Sequence, residues 1–368
     1  MHKSRLLMLL FSFSLVAAAQ QATSPAPSST STAEPKSLLQ RSPETAEPAR
    51  QDDRRITLNV LAADASGRPI SGLQQQDFSI LDNKQPQSIT SFAAVQGPTA
   101  EPPTEVVLLI DTVNTSFQRV AFVRDQLDAF LRQNGGHLAY PTRLVIFTEN
   151  GTQIGPEPTR DGNGLAEALD ANKSALRMIG RSAGFYGATE RLQWSWQTLD
   201  RLIEFEGQKP GRKMVIWISP GWPMLSGPNV QVSSKQEQSF FDSIVTFTNA
   251  LRMAQITLYA VNPVGADENM LRTSYYEDFL KGVPNAHSAN SGNLALQVLA
   301  VHSGGRVLNA SNDLTGLLNS SVADASAYYV MSFEAAPGDR PNEYHALTVK
   351  VAKPGIKIFT TTGYYSKP

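Results

Sequence analysis

The chain contains no cysteine, which excludes disulfides, thiolate metal sites and a lipid-modified cysteine of the bacterial lipoprotein kind. Charge of one sign is also missing: 32 Lys and Arg stand against 33 Asp and Glu, a net charge of −1. Without a basic run, nucleic acid and anionic membrane surfaces are not expected partners. No apolar stretch is long enough to cross a bilayer comfortably, so no stable span is expected in the mature chain. His137, His287, His302 and His345 are scattered, with no spacing that suits zinc. A Gly-x-Ser-x-Gly elbow is absent, which leaves a serine hydrolase without a nucleophile. Gly207 to Lys213 holds Gly and Lys but lacks phosphate-loop spacing and precedes a strand instead of following one.

The composition, 41% hydrophobic over 368 residues, supports a large core and about two domains. Lys3 and Arg5, the apolar stretch Leu6 to Val16, and Ala17-Ala18-Ala19 read as a signal peptide over 1–19. An exported protein, secreted or periplasmic, is therefore expected. Residues 20–53 are rich in Pro, Ser, Thr, Ala and Gln without hydrophobic periodicity, the composition of a disordered tether.

Val106-Val107-Leu108-Leu109-Ile110 is an unbroken apolar run, the mark of a strand buried on both faces in a parallel sheet. It ends in Asp111, followed by Thr112, Asn114, Thr115 and Ser116. Ligands of open α/β sheets bind beyond the carboxyl ends of the strands, and oxygen-rich loops suit hard cations. Further strands are predicted at Arg143–Thr148, Met214–Ser219, Thr257–Asn262 and Arg306–Leu308. Helices are predicted near Phe117–Gln133, Gly164–Lys173, Glu190–Glu206, Gln236–Ala254, Leu294–Val301 and Asp313–Ser326. Asn150-Gly151 is a strong hairpin signal and places one antiparallel edge strand on the sheet.

Both ends of the chain read as β. Ile56, Leu58 and Val60 alternate with less apolar neighbours, Phe78 and Ile80 open a second strand, and Ile89 to Val95 form a third. Late strands are predicted at Tyr328–Ala335, Tyr344–Val351 and Ile356–Tyr364. Three strands alone are marginal, so residues 54–97 and 327–368 are expected to combine into one sandwich-like β domain. The α/β domain, 104–326, would be inserted into it.

The ordered set from Asp111 through the Asn-Gly hairpin, Gly187-Ala188-Thr189 and Gly211-Arg212-Lys213 resembles a von Willebrand factor type A domain. The flanks, with Ser71-Gly72-Leu73, Asp77-Phe78 and Gly363-Tyr364-Tyr365, resemble a bacterial secreted subgroup carrying that domain. The resemblance implies a doubly wound, mostly parallel sheet. It also implies a metal-ion-dependent adhesion site holding Mg²⁺ or another divalent cation. Asp111 matches the first acid of that site, Thr115 replaces its second Ser, and Thr189 matches its Thr. Val113 stands where the first Ser belongs, and Pro220 where the second Asp belongs. With one carboxylate left, cation binding is expected to be weak or lost. Asp111 would then accept backbone N–H bonds and cap the following helix.

Three long connections open at the same sheet edge. Gly180 to Gly187 carries Phe185 and Tyr186; Pro220 to Ser234 carries Trp222; Gly265 to Asn290 carries Tyr275 and Tyr276. These aromatics are candidates for contact with a protein or envelope partner, or for gluing the loops onto the domain. The resulting expectation is an exported, non-catalytic binding or adhesion protein with a degenerate metal site and no resident cofactor. The alternatives are a metal-dependent hydrolase centred on Asp111, with Glu190 as the nearest base, or a structural subunit of an envelope assembly.

Overall fold

The computed structural model describes residues 54–172, 184–223, 232–263, 275–309 and 311–366, without the side chains of 184 and 185. The expected signal peptide and tether lie outside the described residues. Four strands lead: β1 (Arg55–Ala63), β2 (Phe78–Asp82), β3 (Gln85–Gln87) and β4 (Ser91–Gln96). The α/β part follows with β5 (Glu105–Asp111), α1 (Phe117–Leu131), β6 (His137–Thr148), β7 (Gly151–Ile154), β8 (Thr159–Asp161) and α2 (Gly162–Ala171). It continues through α3 (Gly184–Gly207), β9 (Lys213–Ile218), α4 (Ser234–Met253), β10 (Ile256–Val261), α5 (Leu296–His302), β11 (Val307–Leu308) and α6 (Leu314–Ala323). The chain closes on β12 (Ala327–Glu334), β13 (Tyr344–Val351), β14 (Lys357–Phe359) and β15 (Gly363–Tyr365).

The large sheet has the order β11-β10-β9-β5-β6-β7. Its strands are parallel except β7, which turns back on β6 through Asn150-Gly151, and β8, which also pairs antiparallel with β6. Period-two alternation sends Val107 and Leu109 to one face of β5 and Val106, Leu108 and Ile110 to the other. The first face is covered by α3, α4 and α5 through Leu199, Leu202, Phe247 and Leu299. The second is covered by α1, α2 and α6 through Val123, Leu127, Leu169 and Leu318. An apolar run of this kind is required when helices shield both faces. This is a doubly wound α/β architecture, a mostly parallel sheet shielded by helices on both faces.

The two ends of the chain interleave instead of forming one sheet each. One sheet runs β14-β1-β12-β4, the other β15-β13-β2-β3. Ile56, Leu58, Val60, Ile80, Met331, Phe333 and Val349 fill a third core with Tyr329 and Tyr364. The strand predicted over Ile356–Tyr364 is in fact two: β14 pairs with β1, whereas β15 pairs with β13. Between them Thr361 bridges to Ser303, at the end of α5. Beside that crossover Gly304, at φ +84°, lies so close to the Thr360 backbone that a Cβ would collide with it. The remaining predicted ends shift by a few residues, as frayed helix termini do.

Candidate functional site

Asp111 ends β5 and is 1% exposed. Its Oδ1 accepts the backbone N–H of Val113 (3.0 Å) and of Asn114 (2.8 Å). Its Oδ2 accepts Asn114 Nδ2 (2.8 Å) and the indole Nε1–H of Trp217 (3.0 Å). Trp217 belongs to the neighbouring parallel strand β9, in register with Leu109. Asn114 also donates to Ser195 Oγ at 2.9 Å, and Ser195 donates to the Arg191 carbonyl within α3. One carboxylate thus ties together the β5 loop, β9 and α3. Burial pushes the Asp111 carboxyl above the usual range, and the bonds from Asn114, Trp217 and Ser219 pull against that shift.

This geometry corrects one expectation. Asp111 fixes the turn that follows its own strand; it does not cap α1. The N-cap of α1 is Ser116, whose side chain makes no capping bond. Asp111 lies five residues before the N-cap and spends its acceptors on Val113 and Asn114, short of the first helical N–H groups.

A dication does not fit this donor set. Each Asp111 oxygen already accepts two N–H bonds, so donors occupy the directions from which a cation would be coordinated. Val113, 4% exposed, packs into the apolar cluster with Trp217 and Trp222. Pro220 brings no side-chain oxygen. Asn114 Oδ1 is buried without a hydrogen-bond partner, and a single amide oxygen falls short of the six or more ligands of a hard cation. Thr115 is buried, and Thr189 is half-buried inside α3, which begins at Gly184 rather than Glu190. Glu190, the base required by a hydrolase, is half-buried on that helix. Among the described residues no three His, Asp or Glu side chains are grouped as a metal site.

The aromatic candidates separate. Trp222 is 3% exposed and packs edge-on against Trp217 at 5.1 Å between ring centroids. It is a core residue, which removes it as a surface anchor and accords with the alternative that these aromatics hold the loops onto the domain. Gly221, at φ +112°, lies so close to the Gln297 side chain that a Cβ would collide with it. Tyr275 and Tyr276 are half-buried in a short 3-10 turn, with Tyr275 reaching Gln297 Oε1 at 3.4 Å. Tyr186 is 87% exposed on the first turn of α3. The side chain of Phe185 lies outside the described residues. Phe117, first residue of α1 and 54% exposed, joins Tyr186 at this level. Both helices run opposite to the parallel strands, so their first turns stand at the carboxyl rim.

Two residues went unnoticed in the sequence: Trp217 as the partner of Asp111, and Phe117. The first had a signal, because a Trp within the buried run Met214 to Ile218 must find an acceptor for its N–H. Phe117 had none, since an apolar residue opening an amphipathic helix is expected to be buried.

No family model matches the sequence, and none of the curated proteins matches it. Solved structures do resemble it distantly. Proximal thread matrix protein 1 from the mussel byssus is 13% identical, with a TM-score of 0.35, over 61% of this chain and 48% of that one. The chain thus spans about half of the mussel protein. Manganese-loaded TRAP protein of Plasmodium vivax is 9% identical, with a TM-score of 0.33, over 74% of this chain and 97% of that one. The SpRpn10 VWA domain is 11% identical, with a TM-score of 0.30, over 60% of this chain and 96% of that one. The fold class rests on the strand order and the helices covering both faces of the sheet.

Proposed function

We propose that the chain is an exported, non-catalytic binding protein that presents the carboxyl rim of its type A-like sheet to a protein or envelope partner, without using a divalent cation. The observation that carries this is the saturation of Asp111 by four N–H donors from its own fold. A rim without a bound cation must bind by packing and hydrogen bonding. Exposed aromatics at Phe117 and Tyr186 suit that mode, because rigid rings supply contact area at low entropic cost.

The test is thermal unfolding in chelator and then in excess Mg²⁺, Mn²⁺ or Ca²⁺. A cation at a hundred times its dissociation constant would add about 2.7 kcal/mol and raise the melting temperature visibly. The expected result is coincident curves. Capture from envelope fractions should then weaken in a Phe117→Ala, Tyr186→Ala double variant whose melting temperature is unchanged. A cation-dependent rise, or capture indifferent to both substitutions, would overturn the proposal.

A further inference from the structure

Among the described residues, most outer strands of the three sheets are protected against pairing with another chain; β14 covers the outer side of β1 only over Leu61–Ala63, and the open stretch begins with Arg55. β3 is three residues long with Pro86 at its centre, and β14 is equally short and begins with Lys357. β11 has two residues. β15 is covered by α4, where Asn249 donates to the Tyr365 carbonyl and accepts its N–H. On the outer side of β6, β7 has four residues and β8 three, the latter carrying Arg160 and Asp161. Shortness, proline, charge and covering elements are the usual protections of an exposed edge.

β4 has none of these. It is six residues long, Ser91-Phe92-Ala93-Ala94-Val95-Gln96, among the described residues pairs on one side only, with β12, and exposes Ala93, Ala94 and Gln96. No charged residue occurs between Lys84 and Glu101. Gly97 N–H donates to the Ser326 carbonyl, and the register pairs Gln96 with Ala327 and Ala94 with Tyr329. In an antiparallel ladder the inward-bonding residues alternate, so those in phase with Gly97 face β12. The N–H and C=O groups of Phe92, Ala94 and Gln96 therefore point away from the sheet.

We propose that β4 is a self-association edge: two copies of this chain pair β4 with β4 antiparallel about a two-fold axis, merging their four-stranded sheets into one. A two-fold contact sets each residue against its mirror position, so the patch must be self-complementary. In the register centred on Ala94, Ala94 faces its own copy, and Phe92 faces Gln96 of the second copy. Methyl groups meet at the axis, and no like charges are opposed across the ladder, where they would be destabilising. The outward groups of Phe92, Ala94 and Gln96 are those that this register bonds. This inference is independent of the Asp111 rim, because it concerns the β-sandwich.

The experiment is sedimentation of the full chain across the micromolar range, with Ala94→Lys and Ala94→Pro alongside. Lysine would face lysine across the axis; proline would remove an outward N–H without touching the bonds to β12. The expected result is a concentration-dependent species of twice the monomer mass, lost in both variants at unchanged melting temperature. In the wild-type dimer, hydrogen exchange should show protected amides at Phe92, Ala94 and Gln96 as well as at the β12-facing positions. Should either variant fail to fold, that exchange pattern decides. A monomer throughout, a dimer indifferent to both variants, open-ended polymers, or fast exchange at those three amides in the dimer would each overturn the proposal.

Discussion

A buried carboxylate can be stabilised in two ways, by a cation or by hydrogen-bond donors, and Asp111 takes the second. Its two oxygens receive two backbone and two side-chain N–H groups, and Trp217 supplies the bond that crosses from a neighbouring strand. Asp111→Asn tests this directly. One amide oxygen would still accept from Val113 and Asn114, but the new NH₂ group would point at the Asn114 amide and the Trp217 indole. Donors facing donors in a dry site should cost roughly 2–4 kcal/mol, measured by urea unfolding. The loss should be the same in chelator and in Mg²⁺. A site that depended on a cation would show a loss only when the cation was present.

At the level of elements, helix α4 links the α/β part to the last strand. Its buried face, with Phe241, Ile244 and Phe247, packs on the large sheet. Asn249 on the same helix forks onto the Tyr365 backbone, and Phe241 meets the Tyr365 ring edge-on at 5.9 Å. Asn249→Ala removes two hydrogen bonds and should cost about 1–2 kcal/mol. The loss should be local: amide exchange should accelerate at Tyr365 while β12 stays protected. Equal acceleration across both strands would mean that α4 holds the sandwich through packing alone. Most elements were legible in the sequence, because Val106 to Ile110 and Met214 to Ile218 are too apolar for anything but a doubly covered strand. The break between β14 and β15 was not legible, because Ile356 to Tyr364 has continuous β propensity. Contact of Thr361 with Ser303 across the molecule is what divides it.

At the scale of the molecule, two more of the junctions between the inserted α/β part and the sandwich carry titratable groups. Asp324 is fully buried between Arg306 (3.0 Å) and the Tyr259 hydroxyl (3.1 Å), just before β12 leaves for the sandwich. Arg212 reaches the Asp324 carbonyl and lies over the Tyr328 ring at 4.5 Å. The second junction is His302, at the end of α5, which meets the Thr362 hydroxyl in the crossover between β14 and β15. Desolvation pushes the His302 imidazole down to about 4 from 6.5. A depressed folded value means that the unfolded chain takes up the proton first. The stability contributed by neutral His302 is therefore complete above 6.5 and is lost as pH falls toward 4. The melting temperature should drop over that window, and His302→Gln should flatten the drop. A profile identical in wild type and variant would remove His302 as the cause.

The period-two and helical patterns, and with them the doubly covered sheet, the Asn150-Gly151 edge hairpin and the β character of both ends, are read directly from the residues. The sequence also places Asp111 at a strand end and shows Val113 and Pro220 in positions that cannot ligate through an oxygen side chain. Packing in three dimensions settles the fate of Asp111, because Trp217 and Ser195 are distant in sequence and converge through β9 and α3. It also decides that Trp222 packs in the core against Trp217, and it exposes Phe117 and the edge of β4. Local patterns record which face a residue prefers. Which donor, ring or strand stands opposite is set by register and packing between segments that the sequence keeps far apart.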